Sequence, residues 1–349
     1  MADSTTEEEQ GQSGEEAAAT LGKLTGGTRN PGVVFALADL GVPEVLADGP
    51  KTPAEIAEAT GAHSGALARL LRAIGDTELF TVDPQGRYAL TPASDLLRRG
   101  HPAGRRSLFL WGASPSVQRA WASLGHSLRT GESAFKHANG VSQWDYNRVN
   151  PSEGALFDEM LSVLRPNRHS AVVESYDFAG RTIVDVGAGY GQLIEAILKT
   201  HPATHAIAFD AAPVLDGTKQ LLSEAGVLDR CELTAGDFFV SVPAGGDVYV
   251  LSDILHDWGD SGALKILMNC RNAMRQDSRL LIVEYVMPEK DTPPHVLGMD
   301  LMMLVMYGEA RQRTKAEFEE LFAAAGLEFS SVIPTADAEI VEAVRASAG

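Results

Sequence analysis

From about residue 175 onward, short apolar runs alternate with segments whose apolar residues recur at helical spacing. The runs are RTIVDVG, THAIAFD, CELTAGDFF, DVYVLSDIL and RLLIVEYVM, with a weaker last pair in LEFSSVIPT and EIVEAVRA. Strands that alternate with helices are typical of a parallel sheet covered by helices on both faces. The pattern therefore predicts an α/β domain in the second half of the chain.

Composition and charge narrow the class of protein. The 349 residues are enough for two domains, and 44% hydrophobic with 22% charged residues is ordinary for a globular protein. A net charge of -18 argues against nucleic-acid and anionic membrane partners. The two cysteines form neither a disulfide framework nor a zinc spacing, and no apolar stretch is long enough to span a membrane. We expect a cytoplasmic protein without a metal site.

The first hundred residues divide into a tail and a small module. Residues 1–25 are expected to be a disordered acidic tail. In 26–100, Thr52-Pro53 predicts a capped helix start, Gly61 a break, and Asp83–Gly86 the turn of a hairpin. Helix, turn, helix and hairpin are typical of a winged helix, which binds DNA or serves dimerisation; the acidic chain favours dimerisation.

The remaining boundaries follow from composition. Residues 101–172 are rich in Trp, Phe and Leu, and we expect them to form a helical connector that roofs a substrate pocket. Residues 173–349 hold the alternating strands, and are therefore expected to form the catalytic domain. Ligands of such sheets bind at the carboxyl ends of the strands.

A glycine-rich turn follows the first of these strands, in IVDVGAGYG. Gly187, Gly189 and Gly191 would let the backbone approach a ligand closely, and Asp185 before them suits a cationic ligand better than a diphosphate. Asp210 ends the next strand, where a carboxylate can accept ribose hydroxyls. These residues point to a cationic nucleoside without phosphates, and S-adenosylmethionine fits that description.

Two further residues, Asp237 and Phe238, follow the third strand, where an adenine ring could stack. Each candidate also has a structural interpretation: Asp185 could cap a helix, Asp210 could be a turn residue and Phe238 a core aromatic. Together, at the ends of three successive strands, they favour the binding site.

The segment LSDILHDWGD places His256 after the fourth strand, where a base would face the cofactor. A single histidine is more often structural, but its position at the mouth of the sheet favours catalysis. DVGAGYG, AFD, GDFF and LHDWGD, in this order behind a winged-helix start, resemble the metal-independent small-molecule O-methyltransferases that act on caffeate, flavonoids and aromatic polyketides. The resemblance covers roughly residues 30–345.

This resemblance implies a class I methyltransferase fold with a Rossmann-like seven-stranded sheet and an N-terminal winged helix that forms a homodimer. By the same resemblance, the family's functional positions fall on a larger set of residues. Those that would bind S-adenosylmethionine are Asp185, Gly187, Gly189, Asp210, Asp237, Phe238 and Ser252; those that would carry catalysis are His256 as general base, Glu284 as the acid that orients it, and Gln312.

Gln312 is a departure from the family pattern, which often has Glu in the corresponding Lys/Arg-Glu-Arg-Thr segment. An amide can hydrogen-bond an imidazole but cannot stabilise imidazolium by charge. This leaves room for an alternative in which the protein binds S-adenosylmethionine but catalyses decarboxylation, hydroxylation or a pericyclic rearrangement. A third hypothesis is a winged-helix regulator that senses the nucleoside.

The substrate is expected to be an aromatic secondary metabolite. Methionines recur at helical spacing between 299 and 306, which favours either core packing or an adaptable wall for a flat ring. The residues expected to line the substrate pocket are Trp144, Met160, Asp257, Met299, Met303 and Tyr307. Asp257 is also placed at a helix start, where its role would be structural.

Overall fold

The structure is a computed structural model, and it describes residues 31–75, 79–101, 103–164 and 167–347. The chain divides into two compact units. Unit 1 contains the described chain from Pro31 to Ser114 together with Leu156–Leu164, and unit 2 contains Pro115–Ala155 and the described chain from Asn167 onward. The expected acidic tail, 1–25, lies outside the described residues, and the expected connector, 101–172, contributes residues to both units.

Unit 1 contains the elements expected of a winged helix. In chain order they are α1 (Pro31–Leu40), α2 (Val42–Leu46), α3 (Pro53–Thr60), α4 (Ser64–Ile74), β1 (Phe80–Val82), β2 (Tyr88–Leu90), α5 (Pro92–Asp95) and α6 (Arg106–Gly112). Strands β1 and β2 pair antiparallel as a hairpin. Ile56 of α3 and Leu71 of α4 pack with Phe80 of β1 in one buried cluster.

Local sequence signals set these boundaries. The Thr52 side chain accepts a hydrogen bond from the Glu55 amide, while the Glu55 carboxylate accepts one from the Thr52 amide, so a capping box begins α3. Gly61 ends α3 with φ 70°. Gly41, with φ 76°, separates α1 from α2.

Unit 2 begins with short helices and continues into the alternating region. Its helices are α7 (Pro115–Ala122), α8 (Leu124–Thr130), α9 (Ala134–Asn139), α10 (Gln143–Val149), α11 (Pro151–Leu164, which contains the boundary between units), α12 (Arg168–Ser175), α13 (Gln192–Thr200), α14 (Ala212–Glu224), α15 (Asp260–Ala273), α16 (Pro294–Tyr307) and α17 (Lys315–Ala325). Its strands are β3 (Thr182–Val186), β4 (His205–Asp210), β5 (Cys231–Ala235), β6 (Val248–Ser252), β7 (Arg279–Glu284), β8 (Val286–Met287), β9 (Arg313–Thr314), β10 (Leu327–Pro334) and β11 (Glu339–Arg345).

Seven of these strands form one sheet in the order β10-β11-β7-β6-β3-β4-β5. The expectation of a seven-stranded sheet is confirmed, but the sheet is mixed rather than parallel throughout. Strand β11 runs antiparallel to both β10 and β7. The cause is local: Thr335 donates a backbone hydrogen bond to Ala338, which closes a tight turn between β10 and β11 that leaves no room for a crossover.

The sheet is buried on both faces, as its continuous apolar strands predict. On one face Val184, Tyr249 and Ile282 pack against α15 and α17, and on the other Ile183 and Val250 pack against α12 to α14. Strand β3 lies between β4 and β6, so the strand order reverses beside its carboxyl end. Such a switch point is where sheets of this kind bind ligands. Among the described residues, no helix combines the length and apolar character needed to cross a membrane.

Candidate active site

The glycine turn after β3 lies at this switch point. Gly187, Gly189 and Gly191 have φ of 82°, 53° and 84°, in the region that favours glycine. The Gly187 amide donates a 2.8 Å hydrogen bond to the carbonyl of Phe209 on the neighbouring strand β4. A Cβ on Gly191 would lie 2.7 Å from Thr218 Cγ2, so its lack of a side chain lets α13 pack closely against α14.

Two carboxylates flank this turn. Asp185 is 2% exposed, and its Oδ1 has no hydrogen-bond partner. Burial, and then the neighbouring Asp210, raises the pKa of Asp185 to about 7. Asp210 accepts hydrogen bonds from the amides of Gly189 (2.9 Å) and Ala211 (2.6 Å), yet burial still raises its pKa. A cation placed beside these two carboxyl groups would favour their ionised forms, so the pair suits a positively charged ligand.

Phe238 lies close to the turn, since its Cε1 is 3.8 Å from the position that a Cβ on Gly187 would take. The ring also packs edge-on against Phe239, with centroids 5.0 Å apart, so it is part of an aromatic cluster as well. Asp237 is exposed and accepts a 2.8 Å hydrogen bond from the Phe239 amide. Ser252 is half-buried at the end of β6.

His256 lies in a short 3-10 turn, Leu255–Asp257, that follows β6, and the residue is 5% exposed. Gln312 Nε2 lies 3.4 Å from its Nδ1, and Asp257 Oδ1 lies 3.4 Å from its Nε2. Two of the residues expected to act in catalysis, His256 and Gln312, are therefore adjacent in the structure although they are far apart in the chain, and Asp257, expected at the substrate pocket, lies beside them.

Glu284, expected to orient the imidazole, contacts the backbone of His256 more closely than its ring. Its Oε1 accepts a 3.0 Å hydrogen bond from the His256 amide and lies 4.0 Å from Nδ1. Glu284 is fully buried, and burial raises its pKa to about 7. Its Oε2 has no hydrogen-bond partner. The residue thus fixes the position of the histidine main chain and leaves an unpaired oxygen in the site.

A third carboxylate near the imidazole, that of Asp253, was missed by the sequence analysis. Asp253 Oδ1 lies 3.9 Å from His256 Nδ1 and 2.5 Å from Nη1 of Arg168, which is buried at 1% exposure. Arg168 Nε also donates to Asp337 (2.8 Å), and the guanidinium lies 4.7 Å from the centre of the Tyr285 ring. Arg168, Asp253 and Asp337 are far apart in the chain, so no sequence motif indicated this cluster. Asp253 was part of the quoted LSDIL segment, but nothing in the sequence connected it with Arg168.

Arg313 was also missed, although it belongs to the RQRT segment that the resemblance singled out. Its fully buried guanidinium donates to the carbonyls of Leu255 (2.8 Å) and Trp258 (2.7 Å) and pairs with Asp260. These contacts hold both sides of the turn that carries His256. Arg313 therefore fixes the position of the imidazole without contacting it.

Several residues expected to bind substrate lie near this turn. The rings of Trp144 and Tyr307 stack with centroids 5.3 Å apart and planes inclined by 9°. Burial, and then the charge of Asp257, raises the pKa of the Tyr307 hydroxyl well above its usual range. On α16, Met303 is buried and Met299 half-buried.

Met160 is buried as well, but it belongs to unit 1, whereas the other candidates belong to unit 2. Its place in the substrate pocket stays a prediction. Among the residues that the structure describes, no group of three or more His, Cys, Asp or Glu side chains could hold a metal ion.

Comparisons with known proteins show which family models and relatives this chain resembles. Residues 121–328 match the family model of an O-methyltransferase domain, and residues 23–100 match that of an O-methyltransferase dimerisation domain. The chain is similar to a phenazine O-methyltransferase of Lysobacter antibioticus, with 43% identity over 89% of this chain and 91% of the relative.

Two other similar proteins bear on the chemistry. An 8-amino-8-demethylriboflavin N,N-dimethyltransferase of Streptomyces davaonensis is 34% identical over 91% of this chain and 92% of its own length. The structure of an O-methyltransferase from neocarzinostatin biosynthesis, in complex with S-adenosyl-L-homocysteine and 1,4-dihydroxy-2-naphthoic acid, is 35% identical. It superimposes with a TM-score of 0.81 and covers 90% of this chain and 95% of that one.

Proposed function

Since this chain belongs to the family of S-adenosylmethionine-dependent O-methyltransferases, we propose that it methylates a hydroxyl group of an aromatic secondary metabolite, with His256 as the general base. The observation that supports this most directly is the buried imidazole beside the glycine turn, in a protein whose relatives act on phenazine and naphthoate rings.

The residues of the glycine turn fit the cofactor. The unpartnered Oδ1 of Asp185 and the raised pKa of this carboxyl group provide a place for positive charge. Asp210 keeps acceptor capacity beyond its two amide contacts and would take the ribose hydroxyls. Phe238 would contact the adenine, and Gly187 the methionyl end. S-adenosylmethionine supplies an activated methyl group on a sulfonium, so the protein must position the acceptor and remove its proton.

Removal of that proton is the role proposed for His256. A phenol with a pKa near ~10 is largely protonated at neutral pH, whereas an imidazole with an ordinary pKa near ~6.5 can accept its proton as the oxygen attacks. Methyl transfer needs the oxygen aligned with the carbon–sulfur bond, so positioning contributes a large part of the rate. Glu284 and Arg313 hold the main chain around the base and would supply this rigidity.

The acceptor is proposed to lie against the stacked rings of Trp144 and Tyr307. Met299 and Met303 would complete an adaptable wall, since methionine fills irregular space and makes good contacts with rings. Asp257 faces both the imidazole and Tyr307, which makes it a candidate for orienting a polar group of the substrate.

A second candidate acceptor is an aromatic amine. The relative that dimethylates an amino group of a riboflavin derivative supports it. Both reactions use the same cofactor site, and they differ in the atom that attacks. The similar proteins described above are all named as methyltransferases. They therefore do not support the alternative of decarboxylation, hydroxylation or a pericyclic rearrangement.

We also propose that the protein works as a homodimer formed through the N-terminal module, because residues 23–100 match the dimerisation domain of this family.

The base assignment is tested with His256→Ala. We expect the variant to bind S-adenosylhomocysteine with little loss, because the imidazole is proposed to face the acceptor. Methyl transfer from labelled cofactor to a panel of phenols should fall by ~10²–10⁴, the usual contribution of a positioned base. Raising the pH should restore part of the rate, since hydroxide then ionises the phenol.

Aromatic amines in the same panel serve as the comparison. Turnover of phenols by His256→Ala at the wild-type rate near neutral pH would show that the base assignment is wrong. Methylation of amines alone by the wild-type protein would replace the O-methyl proposal with N-methyl transfer.

A further inference from the structure

The surroundings of His256 Nδ1 bear on how this base can work. To accept a proton at Nε2, the neutral imidazole must carry its hydrogen on Nδ1, and the ring then becomes a cation. The neutral imidazole and the imidazolium both need a hydrogen-bond acceptor near Nδ1. The imidazolium also needs a negative charge nearby. In related catalytic arrangements a carboxylate fills this place behind the histidine.

Two of the neighbours of Nδ1 meet this need poorly. Gln312 is closest, with Nε2 3.4 Å away, but its amide is neutral and cannot stabilise the imidazolium by charge. Glu284 Oε1 lies 4.0 Å away and accepts a hydrogen bond from the His256 amide. Full burial opposes the ionised form of Glu284.

The third neighbour is Asp253, whose Oδ1 lies 3.9 Å from Nδ1. Its charge is matched by Arg168, which donates to the same oxygen at 2.5 Å and is itself fixed by Asp337. A guanidinium cannot lose its proton at any working pH, so it keeps this carboxylate ionised. The Tyr285 ring, 4.7 Å from the guanidinium, covers the pair.

The backbone also directs Asp253 toward the histidine. Its amide donates to the Val283 carbonyl and so extends the pairing of β6 with β7 by one residue. Its φ of 55° then reverses the chain and returns Leu255 and His256 over the end of the sheet. Aspartate adopts this left-handed conformation more readily than most residues.

We propose that Asp253, held by Arg168, is the anionic partner of His256 in this protein, a positioning residue that keeps the hydrogen on Nδ1 and stabilises the imidazolium. It would supply the charge that Gln312, in place of the family's glutamate, cannot supply. The proposal rests on the role of His256 as base under "Proposed function", but its first test does not depend on turnover.

That test is the titration of His256 followed by NMR of histidine ring-labelled protein, with the His256→Ala spectrum identifying the signal. Asp253→Asn keeps the shape and the tolerance for positive φ but removes the charge. We expect the pKa of His256 to fall by about 1–2 in this variant, the range for loss of an opposite charge at this distance. If Asp253→Asn does not fold, Asp253→Gly accommodates the same φ and tests the same charge.

The other groups around the imidazole must be separated from Asp253. The charged or titratable ones are Asp257 in the same turn, Glu284 on β7, Arg168 behind Asp253, Arg313 on the Leu255 carbonyl, Asp300 on the Gln312 amide, and Tyr307 beyond Asp257. Asp337→Asn is the matched control, because it removes a carboxylate from the same guanidinium without touching the imidazole. It should move the pKa of His256 by less than half as much.

Kinetics provide a second readout. In Asp253→Asn the acidic limb of the rate profile should move to lower pH, together with the pKa of His256. kcat should fall about tenfold at neutral pH because the base is weaker, while KM for the cofactor stays unchanged. If Asp253 had only a structural role, Asp253→Asn would change Tm and cofactor binding but would not shift the acidic limb of the pH–rate profile.

An unchanged pKa of His256 in Asp253→Asn, with a fall of 1 or more in Glu284→Gln, would overturn the proposal in favour of Glu284. Failure of the base assignment itself would look different. The pKa of His256 would still respond to Asp253→Asn, but His256→Ala would retain its rate.

Discussion

Asp185, proposed to lie at the cofactor site, illustrates how a single buried carboxyl group can weaken the fold. Its buried carboxyl group has a pKa of about 7 in the folded protein, against 3.8 for an exposed aspartate. Between these values the folded state holds a proton that the unfolded chain has lost. The free energy of unfolding therefore falls as pH rises from about 4 to about 7, and the loss persists above that range.

We predict that Asp185→Asn stabilises the protein without cofactor at pH 8. The two pKa values, about 7 and 3.8, set an upper limit of about 4 kcal/mol. The buried amide costs about 1–3 kcal/mol itself, so a net gain of about 1–3 kcal/mol is expected. Thermal unfolding between pH 5 and 9 checks this, and the two proteins should converge toward pH 5.

The control is Asp216→Asn on the exposed side of α14, which should leave the profile unchanged. Glu284 contributes to the same fall of stability with pH, but equally in the wild type and in Asp185→Asn. The difference in stability between these two proteins therefore reports on Asp185. Asp185→Asn should also bind S-adenosylhomocysteine more weakly. Equal stability at every pH would mean that Asp185 is ionised at no cost in the folded state.

At the scale of one element, the glycine turn joins the cofactor site to the catalytic turn. A Cβ on Gly187 would lie 2.4 Å from Ile254 Cδ1 and 3.1 Å from Cγ1, and Ile254 is two residues from His256. The space at the proposed cofactor site and the position of the proposed base thus depend on the same contact.

We predict that Gly187→Ala destabilises the protein more than Gly189→Ala does. Both substitutions place alanine at positive φ, which costs about 1–2 kcal/mol. Only at Gly187 must Ile254 also move, since a Cβ on Gly189 has no atom within 4 Å. Overpacking of this kind costs about 1–3 kcal/mol more. Urea unfolding of the two variants measures the difference, and equal midpoints would mean that Ile254 yields freely.

The elements themselves were largely predictable, because they depend on local signals. The runs from RTIVDVG to EIVEAVRA became β3 to β7, β10 and β11, and the Thr52 cap and the Asp83 turn have the expected geometry. The antiparallel direction of β11 was not predicted, because the sequence analysis did not recognise the tight turn between Thr335 and Ala338 that sets it, and because pairing with β7 joins distant segments of the chain.

Site residues could be predicted where a motif follows the end of a strand. They could not be predicted where segments that are distant in the chain meet. His256 could be placed from the order of strands and Glu284 from the family resemblance, and the structure brings them together. Arg168 and Asp253 could not, since a buried ion pair between a helix and a loop leaves no periodic signal in either segment. A left-handed aspartate is equally invisible in a single sequence.

For the whole molecule, we predict a homodimer. Light scattering at micromolar concentration should give about twice the 37.2 kDa of one chain. In α1, Leu37 and Ala38 are buried within the chain, while Val33 to Ala36 are half-buried and Leu40 is exposed, which leaves apolar surface for a partner.

The salt dependence of dimerisation distinguishes an apolar interface from one held by ion pairs. Each chain carries a net charge of -18, so two copies repel, and added salt screens that repulsion. An apolar interface should therefore hold or tighten between 50 and 500 mM salt. A monomer at all concentrations would contradict the proposal, and dissociation by salt would point to ion pairs instead.

The position of β11 between β7 and β10 governs how the sheet can assemble during synthesis. When β7 leaves the ribosome its outer edge has no neighbour, and the chain must first produce α16, α17 and β10 before β11 can insert there. Until then the apolar edge of β7 is open to pairing with another nascent chain. The second half of the molecule thus has an interval during synthesis in which an apolar strand edge lacks its neighbour and aggregation competes with folding.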